Sequence, residues 1–348
     1  MNIREAEPTD SRELQRIQAE SPQGKSLIVS TVNVPDFFSR ASAYKSYKVF
    51  VAEEKGNIIG SAACAIRNAV IANRVQRIGY EFQYFTSPTY RRHGIAHRLR
   101  QKIEKHLIEQ GAGLSYALII KGNLPSIRLV GRDGFELHRK LLMPAIAVKK
   151  EVEIPQKECI RPITEHDLEK VADLMNETWK GYEFYEPTSG AFLADQVERA
   201  PLFNYSDLLV LQDQGRTQAC VGIWDWSKIM EITLLRMNLR MRILGRLLVL
   251  TRILPSFPAP GETLKQMMLT MIGYRSPKHL ASLVKYANNI ALKEGIKQIF
   301  CICERDDMIL KAMKGFTRVD TKMALYIKQL KPDVLVADNP VAMAGFDM

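Results

Sequence analysis

The sequence is poor in ordered cysteine. Its five, Cys64, Cys159, Cys220, Cys301 and Cys303, are scattered without a CxxC pair. That excludes zinc spacing and a disulfide framework, so all five read as small buried apolar residues in a reducing compartment. The N-terminal stretch MNIREAEPTD is charged and lacks an apolar signal region, so the expected location is cytoplasmic. There is no Gly-Lys-Ser/Thr step, which excludes a P-loop, and a three-glycine dinucleotide fingerprint is reduced to one glycine. No aromatic RNA-binding signature occurs, so the net charge of +11 carries no strong nucleic-acid signal. It suits a polyanionic cofactor, an anionic membrane face or a merely basic protein. The histidines show no metal-ligand spacing, and no metal is expected.

What is present is size and repetition. The chain has 348 residues, 46% of them hydrophobic, enough for two cored domains. Strand-like and helix-like segments alternate, which predicts an α+β class. Strands are expected over 2–6, 48–53, 57–68, 77–86, 116–120 and 141–148. Helices are expected after an Asp10 N-cap, over 94–110, and over 123–131, and the segment 21–47 reads as irregular. The polar segment 150–158 reads as a linker, after which the pattern restarts. Ile160-Arg161-Pro162-Ile163-Thr164-Glu165-His166-Asp167 matches Ile3 to Asp10 in shape. In each half a helix stops at Gly, a strand and a short helix follow, and Gly-Phe closes the run, at Gly134-Phe135 and Gly315-Phe316. Two diverged copies of one unit, 1–149 and 159–330, explain this economically. The tail, 331–348, is expected to be loosely held.

The stretch SPTYRRHGIAHRLRQKIEKH, from Ser87 to His106, concentrates three features. Pro88 ends strand pairing, leaving backbone groups free for another partner. Gly94 and Ala96 let a bulky group approach the backbone. A helix begins there, with unpaired N–H groups and a positive dipole end, beside Arg91, Arg92 and His93. Together they form an anion site suited to a pyrophosphate; the bland alternative is an exposed, capped helix start.

Arg91-Arg92-His93-Gly94-Ile95-Ala96 resembles the (Arg/Gln)-x-x-Gly-x-(Gly/Ala) acetyl-CoA signature of the GNAT acetyltransferase superfamily. Asn123 to Phe135 resembles the second motif of that family, an Asn, a small residue three later and a closing Gly-Phe. The likeness covers residues 1 to 148 and, more weakly, 159–328. The whole arrangement is also similar to plant HOOKLESS-type acetyltransferase-like proteins. The resemblance implies two tandem GNAT-like domains, each a mixed, mostly antiparallel sheet flanked by helices. It implies acetyl-CoA as co-substrate, in a cleft where the strand ending at Thr86 splays from residues 116–120. Backbone groups of Tyr84, Phe85 and Thr86 would hold the pantetheine amides. The N–H groups from Arg92 to Ala96 would hold the pyrophosphate beside Arg91. Asn123 and Ser126 would lie against the cofactor, and an amine would attack the thioester directly. That attack needs a base, for which Glu81 is the expected residue. By strand alternation, Glu81 and Gln83 share a face with Phe85. A solvent-facing or salt-bridged Glu81 is the alternative. Val130 stands where the family places a proton-donating Tyr, so Tyr84, Tyr90, Tyr116 or water would have to protonate the thiolate.

In the second half, LTMIGYRSPKHLASLVKYANN lacks the Arg-x-x-Gly step, so this copy is expected to bind cofactor poorly or not at all. The insertion 226–254 carries Arg236, Arg240, Arg242, Arg246 and Arg252 among apolar residues. It is too interrupted to span a membrane. Its arginines spread over different helical faces, which argues for a partly buried helix and leaves an anionic membrane or partner contact through Arg236–Arg252 as the alternative. Three functions fit this sequence. The first is an N-acetyltransferase acting on a small-molecule or peptide amine. The second is a non-catalytic acyl-CoA-binding regulator or scaffold, and the third is a peripheral membrane or nucleic-acid binder.

Overall fold

The computed structural model describes residues 1–154, 157–251, 254, 257–305, 307–332, 334, 336–343 and 345–347. Pro155 and Gln156 of the expected linker, and Arg252 of the basic stretch, lie outside the described residues.

The first half runs β1 (Asn2–Glu5), α1 (Ser11–Ala19), β2 (Leu27–Asn33), β3 (Ser46–Glu54), β4 (Asn57–Ile71) and β5 (Arg74–Thr86). It continues with α2 (Ile95–Glu109), β6 (Leu114–Ile120), α3 (Leu124–Arg132) and β7 (Glu136–Ala147). The second half runs β8 (Ile160–Pro162), α4 (Leu168–Thr178), α5 (Gly190–Arg199), β9 (Leu208–Asp213), β10 (Arg216–Asp225), β11 (Met230–Met237) and α6 (Leu239–Leu250). Then come β12 (Gln266–Tyr274), α7 (Pro277–Lys293), β13 (Gln298–Phe300), β14 (Cys303–Glu304), α8 (Ile309–Ala312) and β15 (Arg318–Gln329).

Among the described residues, all strands except β2 and β11 join one 13-stranded sheet, mostly antiparallel, with helices on both faces. The fold is therefore α+β. Its order β1-β3-β4-β5-β6-β15-β7-β13-β12-β10-β9-β8 contains an exchange. The final strand of the second half, β15, lies between β6 and β7 of the first, with Leu325 opposite Leu118 on one side and Arg139 on the other. In turn β7 borders β13 of the second half, Ile146 facing Ile299. Alternation along β4, β5 and β6 builds one core on each face of the sheet there. Tyr80, Phe82 and Tyr116 face one side with Leu14, Ile17, Val171 and Phe346. Cys64 and Ile66 face the other, against Ile95, Leu99, Ile103 and Leu107 of α2.

Asp10 does not cap α1 through its side chain. Its carboxylate instead takes Arg4, at 2.7 Å, and the Glu7 amide. Asp167 repeats this with Arg161, at 2.7 Å, and the Thr164 amide. The Arg hydrogen bond, chiefly, holds both carboxyls below the usual carboxylate range. A depressed pKa contributes stability above the unfolded value, about 4, that is lost as the pH falls. Asp167→Asn should therefore lower the melting temperature at pH 7, with a deficit that shrinks below about pH 4. A deficit constant with pH would contradict the assignment.

Three expectations need correction. The irregular segment 21–47 contains β2, which pairs with β11 of the second half, Ile232 opposite Thr31. The insertion is accordingly a strand followed by a helix. The tail is not loose: Val334, Val341, Phe346 and Asp347 are buried, because Val334, Val341 and Phe346 pack into the core that holds Tyr80 and Tyr116.

Candidate functional site

The strands β5 and β6 are parallel partners for only three residue pairs, Ile78–Leu114, Gly79–Ser115 and Tyr80–Tyr116. Beyond them β6 continues along β15 and β5 along β4, so residues 81–86 and 117–120 part without bonding each other. A bulge sits at the fork: Gln83 has φ +55°, and the β4–β5 register shifts between Ser61 and Ala63. An extra residue reverses the alternation beyond it. Phe85 therefore joins Tyr80 and Phe82 in one core, while Tyr84 lies with the α2 side. This corrects the simple alternation, since Glu81 and Phe85 end on opposite faces. The Ser87 amide bonds the Ile59 carbonyl on β4. In an antiparallel ladder that turns the backbone groups of Thr86 and Tyr84 away from β4, toward the gap. The Thr86 carbonyl takes the Ser21 hydroxyl at 3.2 Å, a partner the sequence did not suggest.

At the end of β5 a turn over Pro88–Tyr90 leads into Arg91, Arg92, His93 and Gly94, all exposed. Arg92 (φ +68°) and Gly94 (φ +76°) are left-handed, which turns the chain into α2. Gly94 is the N-cap of α2 and gives no side-chain cap, and no acidic residue lies in the first turn. Among the described residues the amides of Arg92, His93 and Gly94 have no protein acceptor. Those of Ile95, Ala96 and His97 are the unpaired first-turn donors of any helix. A Cβ on Gly94 would meet nothing within 4 Å, so the space above the helix start is open. At Gly60, opposite Thr86, a Cβ would lie 2.9 Å from Ile95; the glycine there lets α2 seat beside β5. The second half differs. Ser276 caps α7 by accepting from the Lys278 amide, and Arg275 is held by Glu177.

Glu81 is buried directly behind the fork. Its oxygens accept from the Tyr84 hydroxyl at 2.6 Å and the Ser115 hydroxyl at 2.7 Å, with Arg100 at 4.0 Å. Burial pushes its carboxyl above the ordinary value, opposed by the Tyr84 bond and then the Arg100 charge. Asp133, beside Gly134-Phe135, takes Arg100 at 2.5 Å and His97 Nδ1 at 2.7 Å, tying α2 to the end of α3. An arginine on the apolar face of α2 was the sequence signal for this network. Asn123 caps α3, its Oδ1 accepting from the Ser126 amide at 3.4 Å, so those two residues meet each other. Val130 is buried against Ala117, Ile119 and Phe135.

A second polar cluster lies on the other face. Asp347 is fully buried and accepts from Arg67 at 3.0 Å and Tyr116 at 2.9 Å, with the Tyr44 hydroxyl at 3.0 Å. Arg67 also donates to Tyr116 Oη at 2.8 Å and to the Phe184 carbonyl at 2.9 Å. Tyr116 belongs to the last pair before the fork, so this cluster backs the cleft from the face opposite Glu81. Among the described residues no group of three His, Cys, Asp or Glu is placed to hold a metal.

Residues 13–135 match the model of the Acetyltransferase (GNAT) family. No curated protein sequence matches the chain. Among solved structures it is similar to Saccharomyces cerevisiae N-myristoyltransferase with bound myristoyl-CoA, at TM-score 0.66 and 9% identity over 98% of this chain and 89% of that one. It is similar to a GCN5-related N-acetyltransferase from Sphaerobacter thermophilus, at TM-score 0.57 and 13% identity over 97% and 98%. A GCN5-related glucosamine N-acetyltransferase region of a fungal multi-domain β-N-acetylglucosaminidase aligns at TM-score 0.61 and 16% identity, over 94% and 38%.

Proposed function

We propose that this protein is an acyl-CoA-dependent N-acyltransferase, with acetyl-CoA as donor and an amine as acceptor. One observation carries the proposal: an uncapped helix start, with free amides and two flanking arginines, lies at the end of a strand that has just lost its partner. The match of residues 13–135 and the shared fold support the acyl-CoA chemistry. The pyrophosphate sits on the amides from Arg92 to Ala96, with Arg91 beside it. The pantetheine runs along the stretch Tyr84, Phe85 and Thr86, where the backbone groups of Tyr84 and Thr86 turn to the gap while those of Phe85 face β4, and an N–H polarises the thioester carbonyl. Asn123 and Ser126 close the far side. The donor site belongs to the unit 1–149. The unit 159–330, with its capped helix start, is a degenerate copy that completes the sheet.

In the reaction the amine lone pair forms the new C–N bond, the C–S bond breaks, and the thiolate leaves as CoA. The amine proton passes to Glu81, directly or through water. A buried carboxyl with a raised pKa is suited to that transfer, because its basicity moves toward neutral pH. The rate should therefore rise with pH through the Glu81 titration, and Glu81→Gln should remove that limb with little change in donor affinity. A variant that keeps the wild-type pH profile would assign Glu81 a positioning role, holding Tyr84 and Arg100.

Calorimetric titration of acetyl-CoA tests the donor site. A dissociation constant on the order of micromolar is expected, within the range usual for substrates. Absence of binding would overturn the reading.

A further inference from the structure

The helix α6 is seated on the protein by one narrow stripe. Met241 and Leu248 are half-buried, and Gly245 is buried, where a Cβ would lie 2.4 Å from the Phe257 ring. At about 100° per residue, the face opposite that stripe carries Leu239, Ile243, Leu247 and Leu250. These are 68%, 50%, 52% and 77% exposed. Arg240 borders this apolar ridge on one side, and Arg242 and Arg246 on the other. All three are exposed and, among the described residues, their side chains have no ion-pair or hydrogen-bond partner. From Thr233 to Gly261 the sequence contains no acidic residue.

Six large apolar side chains of this short helix are exposed, these four in one row and Leu244 and Val249 beyond the arginines, and such a patch calls for cover. The charge pattern says by what. Unpaired arginines on both flanks, with no acid among them, complement a surface of phosphates, whereas a second copy would bring like charge against them. The geometry points to α6 as a docking site for an anionic lipid bilayer. Its apolar ridge enters the interface and its arginines meet the headgroups. The helix has 12 residues and is too short to cross, so it lies in the plane. The sequence left this contact as the alternative beside a partly buried helix. The arginines do spread around the helix, but the buried stripe removes one side of that wheel and leaves a banded outer face.

Residues 21–26 link the start of α6 to the end of β5. The Asn238 amide at the start of α6 bonds the Ser26 carbonyl at 2.9 Å, and Ser21, a turn earlier in the chain, bonds Thr86 at the mouth.

The test is flotation of the full chain with vesicles of phosphatidylcholine alone and of phosphatidylcholine with about one-third phosphatidylserine. Binding is expected only to the anionic vesicles, and it should weaken with salt. The triple variant Arg240→Gln, Arg242→Gln, Arg246→Gln should lower the partition coefficient about 100-fold. Leu247→Glu with Leu250→Glu should abolish binding while leaving the melting temperature and acetyl-CoA titration unchanged, which separates this surface from the donor site. Three results would overturn the proposal. They are no binding of the wild type to anionic vesicles, binding indifferent to these variants, or sedimentation of the wild type as a dimer that the leucine variant splits, without vesicle binding.

Discussion

Gly94→Glu is expected to weaken acetyl-CoA binding by about 100-fold, equivalent to about 2.7 kcal/mol. The side chain meets no protein atom, since a Cβ at this position has nothing within 4 Å. It points a carboxylate into the place proposed for the pyrophosphate. Two like charges about 4 Å apart repel by about 1 kcal/mol in water and about 4 kcal/mol near a protein surface, and the expected loss lies between. The backbone contributes separately. At φ +76° a side chain costs about 1–2 kcal/mol of fold stability, a few degrees in melting temperature. Gly94→Gln isolates that part, because Gln carries the same left-handed cost as Glu without its charge. It should melt like the glutamate variant yet bind acetyl-CoA far better. Equal losses in both variants would mean that loop geometry, and not charge, governs the site.

Asp347→Ala is expected to destabilise the fold by about 3–5 kcal/mol, because it strands the Arg67 guanidinium. The side chains of the pair are 5% and 0% exposed, so neither can turn to water. Tyr116 and Tyr44 lose an acceptor in the same change. The expected fall in melting temperature is on the order of 10 °C. Pairing Asp347→Leu with Arg67→Met removes both charges and should recover much of it, since an apolar replacement of a buried pair is often close to neutral. If Asp347→Ala alone melts like the wild type, the tail does not hold the core together.

What the sequence made legible was local. The Pro88 stop, the helix start at Gly94, the Gly111 stop and the Gly134-Phe135 turn each depend on residues within a few positions, and each lies where the spacing predicts. The proposed pyrophosphate site is built from such signals, which is why it could be drawn from one stretch. The parts not legible depend on distant chain. The pairing of β2 with β11 joins residue 31 to residue 232, and β15 enters the first half from the far end of the second. Neither strand carries a signal of its partner. The bulge at Gln83 is a single-residue event that no periodicity marks, yet it decides which faces Tyr84 and Phe85 occupy relative to Glu81. The tail is expected to be loosely held, and its burial rests on Phe346 and Asp347 meeting Tyr44, Arg67 and Tyr116.

The account turns on acyl transfer at the fork of β5 and β6. The most direct measurement incubates the full chain with isotopically labelled acetyl-CoA and a panel of amines: a lysine peptide with a free N-terminus, a polyamine and an amino sugar. Free CoA thiol and labelled amide are then quantified together. The account predicts an amide on at least one amine, equal in amount to the thiol released and lost in Gly94→Glu. Tight binding of acetyl-CoA without amide on any amine would contradict it and favour a non-catalytic acyl-CoA-binding protein.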